Sequence, residues 1–157
     1  MARASRKPVR KPPPALTLSV QYGIADASLP SRQRLRSWTK AALLTDAHVT
    51  LRLVGGREAR ALNRDFRGED HATNVLTFAY RDSRPLAGDI VLCAPVIAKE
   101  ARKQRKPIDA HFAHLVVHGM LHLQGYDHEK YNDARVMEAL EAEIVVKLGY
   151  ADPYEAR

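Results

Sequence analysis

The chain has 157 residues, 45% of them hydrophobic and 27% charged, the balance of an ordinary globular protein with one buried core. Its single cysteine, Cys93, excludes an intramolecular disulfide framework, and no apolar run reaches the roughly 18–20 residues of a membrane helix, so a cytoplasmic protein is expected. The net charge of +7 is uneven: Arg3, Arg6, Lys7, Arg10 and Lys11 put five positive charges and no negative one in the first eleven residues, which leaves +2 for the rest. That cluster and a second one, Arg102, Lys103, Arg105 and Lys106, favour an anionic partner such as a nucleic-acid backbone; the plainer alternative is a solvated basic face.

Residues 1–14 lack the apolar stretch of a secretory signal, and Pro8, Pro12, Pro13 and Pro14 break the amphipathic helix an organelle leader needs. They are read as a disordered basic arm, and residues 15–157 as one domain. Ala15 to Tyr22 alternates apolar and polar residues, as a half-buried strand does. Pro30 and Ser31 open a helix to about Leu44, with Leu35, Trp38 and Ala42 on one stripe. His48 to Val54 alternates again until Gly55-Gly56 ends it. Arg57 to Phe66 is predicted as a short helix, followed by a polar loop from Arg67 to Thr73 and a strand from Asn74 to Phe78. Gly88 to Cys93 is mostly apolar, as a central strand would be, and Pro95 starts a helix carrying the second basic cluster. A helix follows from about Pro107, apolar on nearly every side, so it is expected at the centre of the domain. A last helix, capped by Asn132 or Asp133, places Val136, Leu140, Ile144 and Leu148 at helical spacing and closes at Gly149. Four strands and about five helices, the helices clustered late, predict an α+β fold: a mixed sheet packed with helices around a buried histidine-bearing one.

His118 and His122 stand i and i+4 on that helix, so their rings project from one face. Gly125 supplies a helix stop that turns the chain back and brings in His128 as a third ligand. Three imidazoles leave an open fourth position on a single Zn²⁺, the catalytic and not the closed structural arrangement. His111 and His114 share the same stripe. His114 and His122 lie two turns apart, about 12 Å along the axis, whereas ligands on one tetrahedral zinc are only about 3–3.5 Å from each other. His114 is therefore expected as an orienting or substrate-facing group, and His111 as surface or structural. The helix is not His-Glu-x-x-His, because Gly119 occupies the position where a metallopeptidase keeps its general base. Glycine within a helix costs on the order of 1 kcal/mol relative to alanine, so either a substrate or a packing neighbour must approach closely at 119.

His118-Gly119-x-Leu121-His122-Leu123-x-Gly125-Tyr126-Asp127-His128 resembles the defining motif of the YbeY family, bacterial metal-dependent endoribonucleases of ribosomal RNA maturation. Leu62-Asn63, Phe66-Arg67-Gly68, Asp70, Thr73 to Phe78 and Gly88-Asp89-Ile90 resemble the family's other blocks in the same order. Ala79 departs from the pattern where a proline is common, a change expected to touch a turn. The resemblance implies zinc held by His118, His122 and His128 and gives functional weight to Arg67, whose guanidinium can meet two nonbridging phosphate oxygens as charge builds there. Asp127, beside His128, is expected to orient a ligand histidine, with proton acceptance as the alternative.

The expectation is thus a zinc-dependent endoribonuclease of single-stranded RNA, acting on ribosomal RNA precursors and associating with the ribosomal subunit, with metal ligands His118, His122 and His128 and catalytic candidates Arg67, His114 and Asp127. Two rivals come from other classes: a zinc-organised, non-catalytic assembly factor of the ribosome, and a peptidase, which the missing glutamate disfavours.

Overall fold

A computed structural model describes residues 12–127 and 130–155. Period-two alternation becomes strand where one face can be covered. The first such stretch, β1 (Leu16–Tyr22), keeps a half-buried pattern because only one neighbour pairs with it. The next, β2 (Ala47–Val54), and β4 (Leu86–Cys93) are the two central strands and are correspondingly apolar. With β3 (Val75–Tyr80) they form a four-stranded sheet in the order β1-β2-β4-β3. β1, β2 and β4 run parallel, and β3 pairs antiparallel to β4 as an edge strand. The sheet is mixed, as expected.

Five helices connect and cover it. α1 (Arg32–Ala41) starts where Ser31 accepts the Arg34 backbone N–H at 3.2 Å. α2 (Gly56–Arg67) lies over a small apolar cluster of Val54, Ala59, Leu76, Val91 and Cys93. α3 (Ala94–Lys103) carries Arg102 and Lys103 in its last turn. α4 (Ile108–Leu123) touches α1, α3, α5, β3 and β4, and ten of its sixteen residues are buried, so it occupies the centre of the main core. α5 (Tyr131–Lys147) packs against α4. Among the described residues no helix is long and apolar enough to cross a membrane.

Two glycines set where α4 sits and stops. At Gly119 a Cβ would stand 3.0 Å from Cγ2 of Ile90 on β4, so the helix backbone lies against the sheet and even a methyl there would crowd Ile90. Close packing, the second of the two explanations for a glycine there, is what the fold uses. Gly125 has φ 103, a left-handed conformation that costs glycine little. Its N–H bonds the His122 carbonyl at 3.1 Å, and the Tyr126 N–H bonds the Leu121 carbonyl at 3.1 Å, the paired closure of a Schellman motif. The side chain of Gln124 then ties this end to the α1–β2 connection, accepting from the Leu44 N–H at 2.7 Å and donating to the Ala42 carbonyl at 2.8 Å.

Four expectations need correction. Arg67 is the last residue of α2 and not part of a loop, because Gly68 takes the left-handed cap one residue later. Ala79 lies inside β3 opposite Gly88 and not at a turn, since pairing with β4 continues to Tyr80. α5 begins after Lys130, with no side-chain cap from Asn132 or Asp133. Its buried face is Met137, Glu141, Ile144 and Val145, while Val136 is 59% exposed. The helix is rolled so that Glu141 faces the histidines of α4.

The Gly119–Ile90 contact makes a quantitative prediction. Gly119→Val forces an over-packed core and lowers the unfolding free energy by about 1–3 kcal/mol. In urea titrations the double variant Gly119→Val/Ile90→Val is expected to lose less than the sum of the single losses, the coupling of two residues in contact.

Candidate active site

A cleft of about 620 Å³ runs along the outer edge of β3. Arg67 and Asn63 reach it from α2, Thr73 and Thr77 from β3 and the loop before it, His118 and His122 from α4, and Asp127 from just beyond the α4 stop. The guanidinium of Arg67 donates to the Thr77 carbonyl at 2.8 Å and sits over the Phe78 ring at 5.8 Å. One of its five N–H groups is thus committed to the strand, which fixes the arginine at the rim.

The α4 imidazoles stand in a row, with centroids 6.3 Å apart from His111 to His114, 6.5 Å from His114 to His118 and 6.5 Å from His118 to His122. The rings of His118 and His122 are parallel to within 2°. Each has an acceptor at Nδ1: the Glu141 carboxylate at 2.5 Å from His118, and the Tyr126 carbonyl at 3.1 Å from His122. An acceptor there holds the ring proton on Nδ1 and assigns metal ligation, where it occurs, to Nε2, the usual division of labour in a ligating histidine. This donor chemistry suits zinc. Among the described residues no group of three or more His, Cys, Asp or Glu side chains comes together as a metal cluster, and His128, the expected third ligand, lies outside them.

The sequence did not single out Glu141. Its side chain is 1% exposed, and its carboxylate takes His118 on Oε1 and both His114 Nε2, at 3.0 Å, and the Tyr154 hydroxyl on Oε2. Burial pushes such an acid up, yet hydrogen bonds from His114, His118 and Tyr154 outweigh it and hold Glu141 at about 2. A signal was present in the sequence: position 141 falls four residues after Met137 and three before Ile144, on the apolar side of α5.

The remaining expected residues divide as follows. Arg67, Asp127, His118 and His122 line one cleft. His114 does not; it lines a separate cavity of about 800 Å³ between α4 and the segment after α5 and is joined to the cleft-lining His118 through Glu141. His111 is structural, its ring 5% exposed and its Nε2 2.9 Å from Glu100, and burial lowers its pKa. Of the second basic cluster only Lys106 lines either space, the separate cavity, and burial lowers its pKa.

Glu141 carries a stability prediction. Glu141→Ala leaves two imidazoles facing a hole and lowers the unfolding free energy by about 3–5 kcal/mol, measured by urea denaturation. Glu143→Ala, two residues further along α5 and at the surface in a 3.2 Å pair with Lys147, is expected to cost less than about 0.5 kcal/mol.

Residues 27–149 match the family described as endoribonuclease YbeY. The chain is 55% identical over 152 residues to the endoribonuclease YbeY of Nitrosomonas europaea, covering 96% of this chain and 93% of that one. It is 56% identical over 137 residues to that of Nitrosomonas eutropha, covering 87% and 97%, and 54% identical over 148 residues to that of Cupriavidus necator, covering 91% and 75%. Among solved structures it is similar to the solution structure of TM1509 from Thermotoga maritima, with a TM-score of 0.53 at 25% identity over 88% of this chain and 99% of that one. The chain belongs to the endoribonuclease YbeY family.

Proposed function

We propose that this protein is a zinc-dependent endoribonuclease that cuts single-stranded RNA in the cytoplasm, with ribosomal RNA precursors and the ribosomal subunit as its natural substrate and partner. RNA cleavage is supported by the relatives, which are named endoribonucleases. The observation that carries the reading is the cleft itself, which brings Arg67, His118, His122 and Asp127 into one space beside an edge strand.

In this reading His118, His122 and His128 hold the ion. When bound, zinc would supply Lewis-acid chemistry for phosphodiester cleavage. The side chains of the chain do the rest. Arg67, steadied by Thr77 and Phe78, donates its other N–H groups to the nonbridging oxygens as negative charge builds on them. Asp127 orients a ligand histidine, and Glu141 and the Tyr126 carbonyl fix the rings of His118 and His122. Arg57, Arg60, Arg64 and Arg67 follow one another along α2 at spacings of three, four and three, so they share one helix face and give the RNA backbone a basic approach to the cleft. Arg60 is tied to Asp70 at 2.8 and 3.0 Å and Arg64 to Asp65 at 3.2 Å, so a phosphate competes with a carboxylate at both positions. The arm of residues 1–14 adds further non-specific attraction. Binding of this kind weakens steeply as salt rises.

Metal-loaded protein is expected to cleave single-stranded precursor RNA, and chelated protein is not; mapping the product ends on a gel separates the two. His122→Ala abolishes both metal retention and cleavage. Arg67→Ala keeps the metal and slows cleavage by about 10²–10³-fold, the scale of losing one transition-state donor. Full cleavage by metal-free protein would overturn the proposal.

A further inference from the structure

The cleft accounts for one oxygen of Glu141 and leaves the other unexplained. Oε2 faces away from His118 and receives His114 Nε2 at 3.0 Å and the Tyr154 hydroxyl. The same hydroxyl is 3.1 Å from His114 Nε2, and the two rings meet edge to face at 5.3 Å. His114 Nδ1 is buried with no hydrogen-bond partner, so the ring proton sits on Nε2, where acceptors are within reach. Tyr154 is delivered by the chain after α5. Its backbone N–H bonds the Asp152 carboxylate at 2.8 Å, a local turn that aims the ring back at α4.

We propose that Glu141 and Tyr154 are positioning residues for His118, a role that rests on His118 being a metal ligand. A carboxylate with both oxygens engaged cannot rotate, so Oε1 stays where it holds the His118 proton on Nδ1 and presents Nε2 to the ion. Tyr154 and His114 together lock the carboxylate, and Tyr154 brings the C-terminal segment into the construction of a site it does not line. His114 thereby acts on the site from behind, through Glu141.

Tyr154→Phe removes the hydroxyl and keeps the ring, and Glu141→Gln keeps the shape and removes the charge. Zinc affinity is measured by competition with a chromogenic chelator, and far-UV circular dichroism shows that each variant is folded. Loss of partners of this kind weakens metal binding by about 10–100-fold; Tyr154→Phe is expected near the lower end and Glu141→Gln near the upper. Nitrogen-15 spectra of the histidine rings in metal-free protein supply an arm that needs no ion. Wild-type His118 is expected as a single form protonated at Nδ1, and folded Glu141→Gln and Tyr154→Phe are expected to show a mixture of the two tautomers. Unchanged zinc affinity with unchanged His118 ring signals in both folded variants would overturn the inference. A wild-type protein that binds no zinc while its variants still shift the tautomer would overturn the metal assignment, and with it the role toward an ion, while showing that Glu141 and Tyr154 still set the His118 ring.

Discussion

A carboxylate shut away from water has to be surrounded by donors, and Glu141 has three: His118, His114 and Tyr154. Much of the architecture follows from that need. α5 must roll until residue 141 faces α4, which exposes Val136 and buries Met137. α4 must carry imidazoles on the side that meets α5 and apolar residues elsewhere. The chain after α5 must fold back far enough to deliver a phenol. One buried charge thus coordinates two helices and a terminal segment, and it does so next to the row of rings where chemistry is expected.

The second organising contact is steric. Gly119 lets the α4 backbone settle onto Ile90, and Gly125 ends the helix one turn after His122. Between them these residues fix the height of His118 and His122 above the sheet and the point at which the chain leaves toward Asp127. The edge position of β3 completes the arrangement, since Arg67 comes to the rim from α2 on one side of the strand while the histidines come from α4 on the other.

Much of this was legible in the residues. Alternation located β1 and β2, the mostly apolar run of residues 88–93 marked β4 as a central strand, and the nearly unbroken apolar surface of residues 108–123 marked α4 as central. The i, i+4 pair His118 and His122, with Gly125 behind it, drew attention to the stretch that does line the cleft. What was missed has physical causes. An acid in a helical stripe normally marks the solvent side, so Glu141 steered the assignment of the α5 face one residue off; only the imidazoles opposite make its burial tolerable. Arg67 looked like loop because the apolar spacing ends at Phe66, whereas the left-handed cap at Gly68 extends the helix right up to the residue before it. Tyr154 sits in a short segment with aspartate and proline, has no periodicity around it, and acquires meaning only through a helix thirteen positions earlier. Pairings of that kind arise from packing and leave no pattern in one dimension.

The placement of the cleft on β3 bears on how the molecule keeps to itself. An edge strand offers a row of unpaired backbone groups to any passing strand, and proteins commonly blunt such edges with charge or cover. Here the Thr77 carbonyl is already taken by the Arg67 guanidinium, and Val75, Leu76 and Thr77 of that border line the cleft. A neighbouring molecule that added a fifth strand would have to displace the arginine and close the site at the same time. Resistance to edge-to-edge aggregation and open access for the ligand therefore depend on the same few atoms, and a change at position 67 disturbs both.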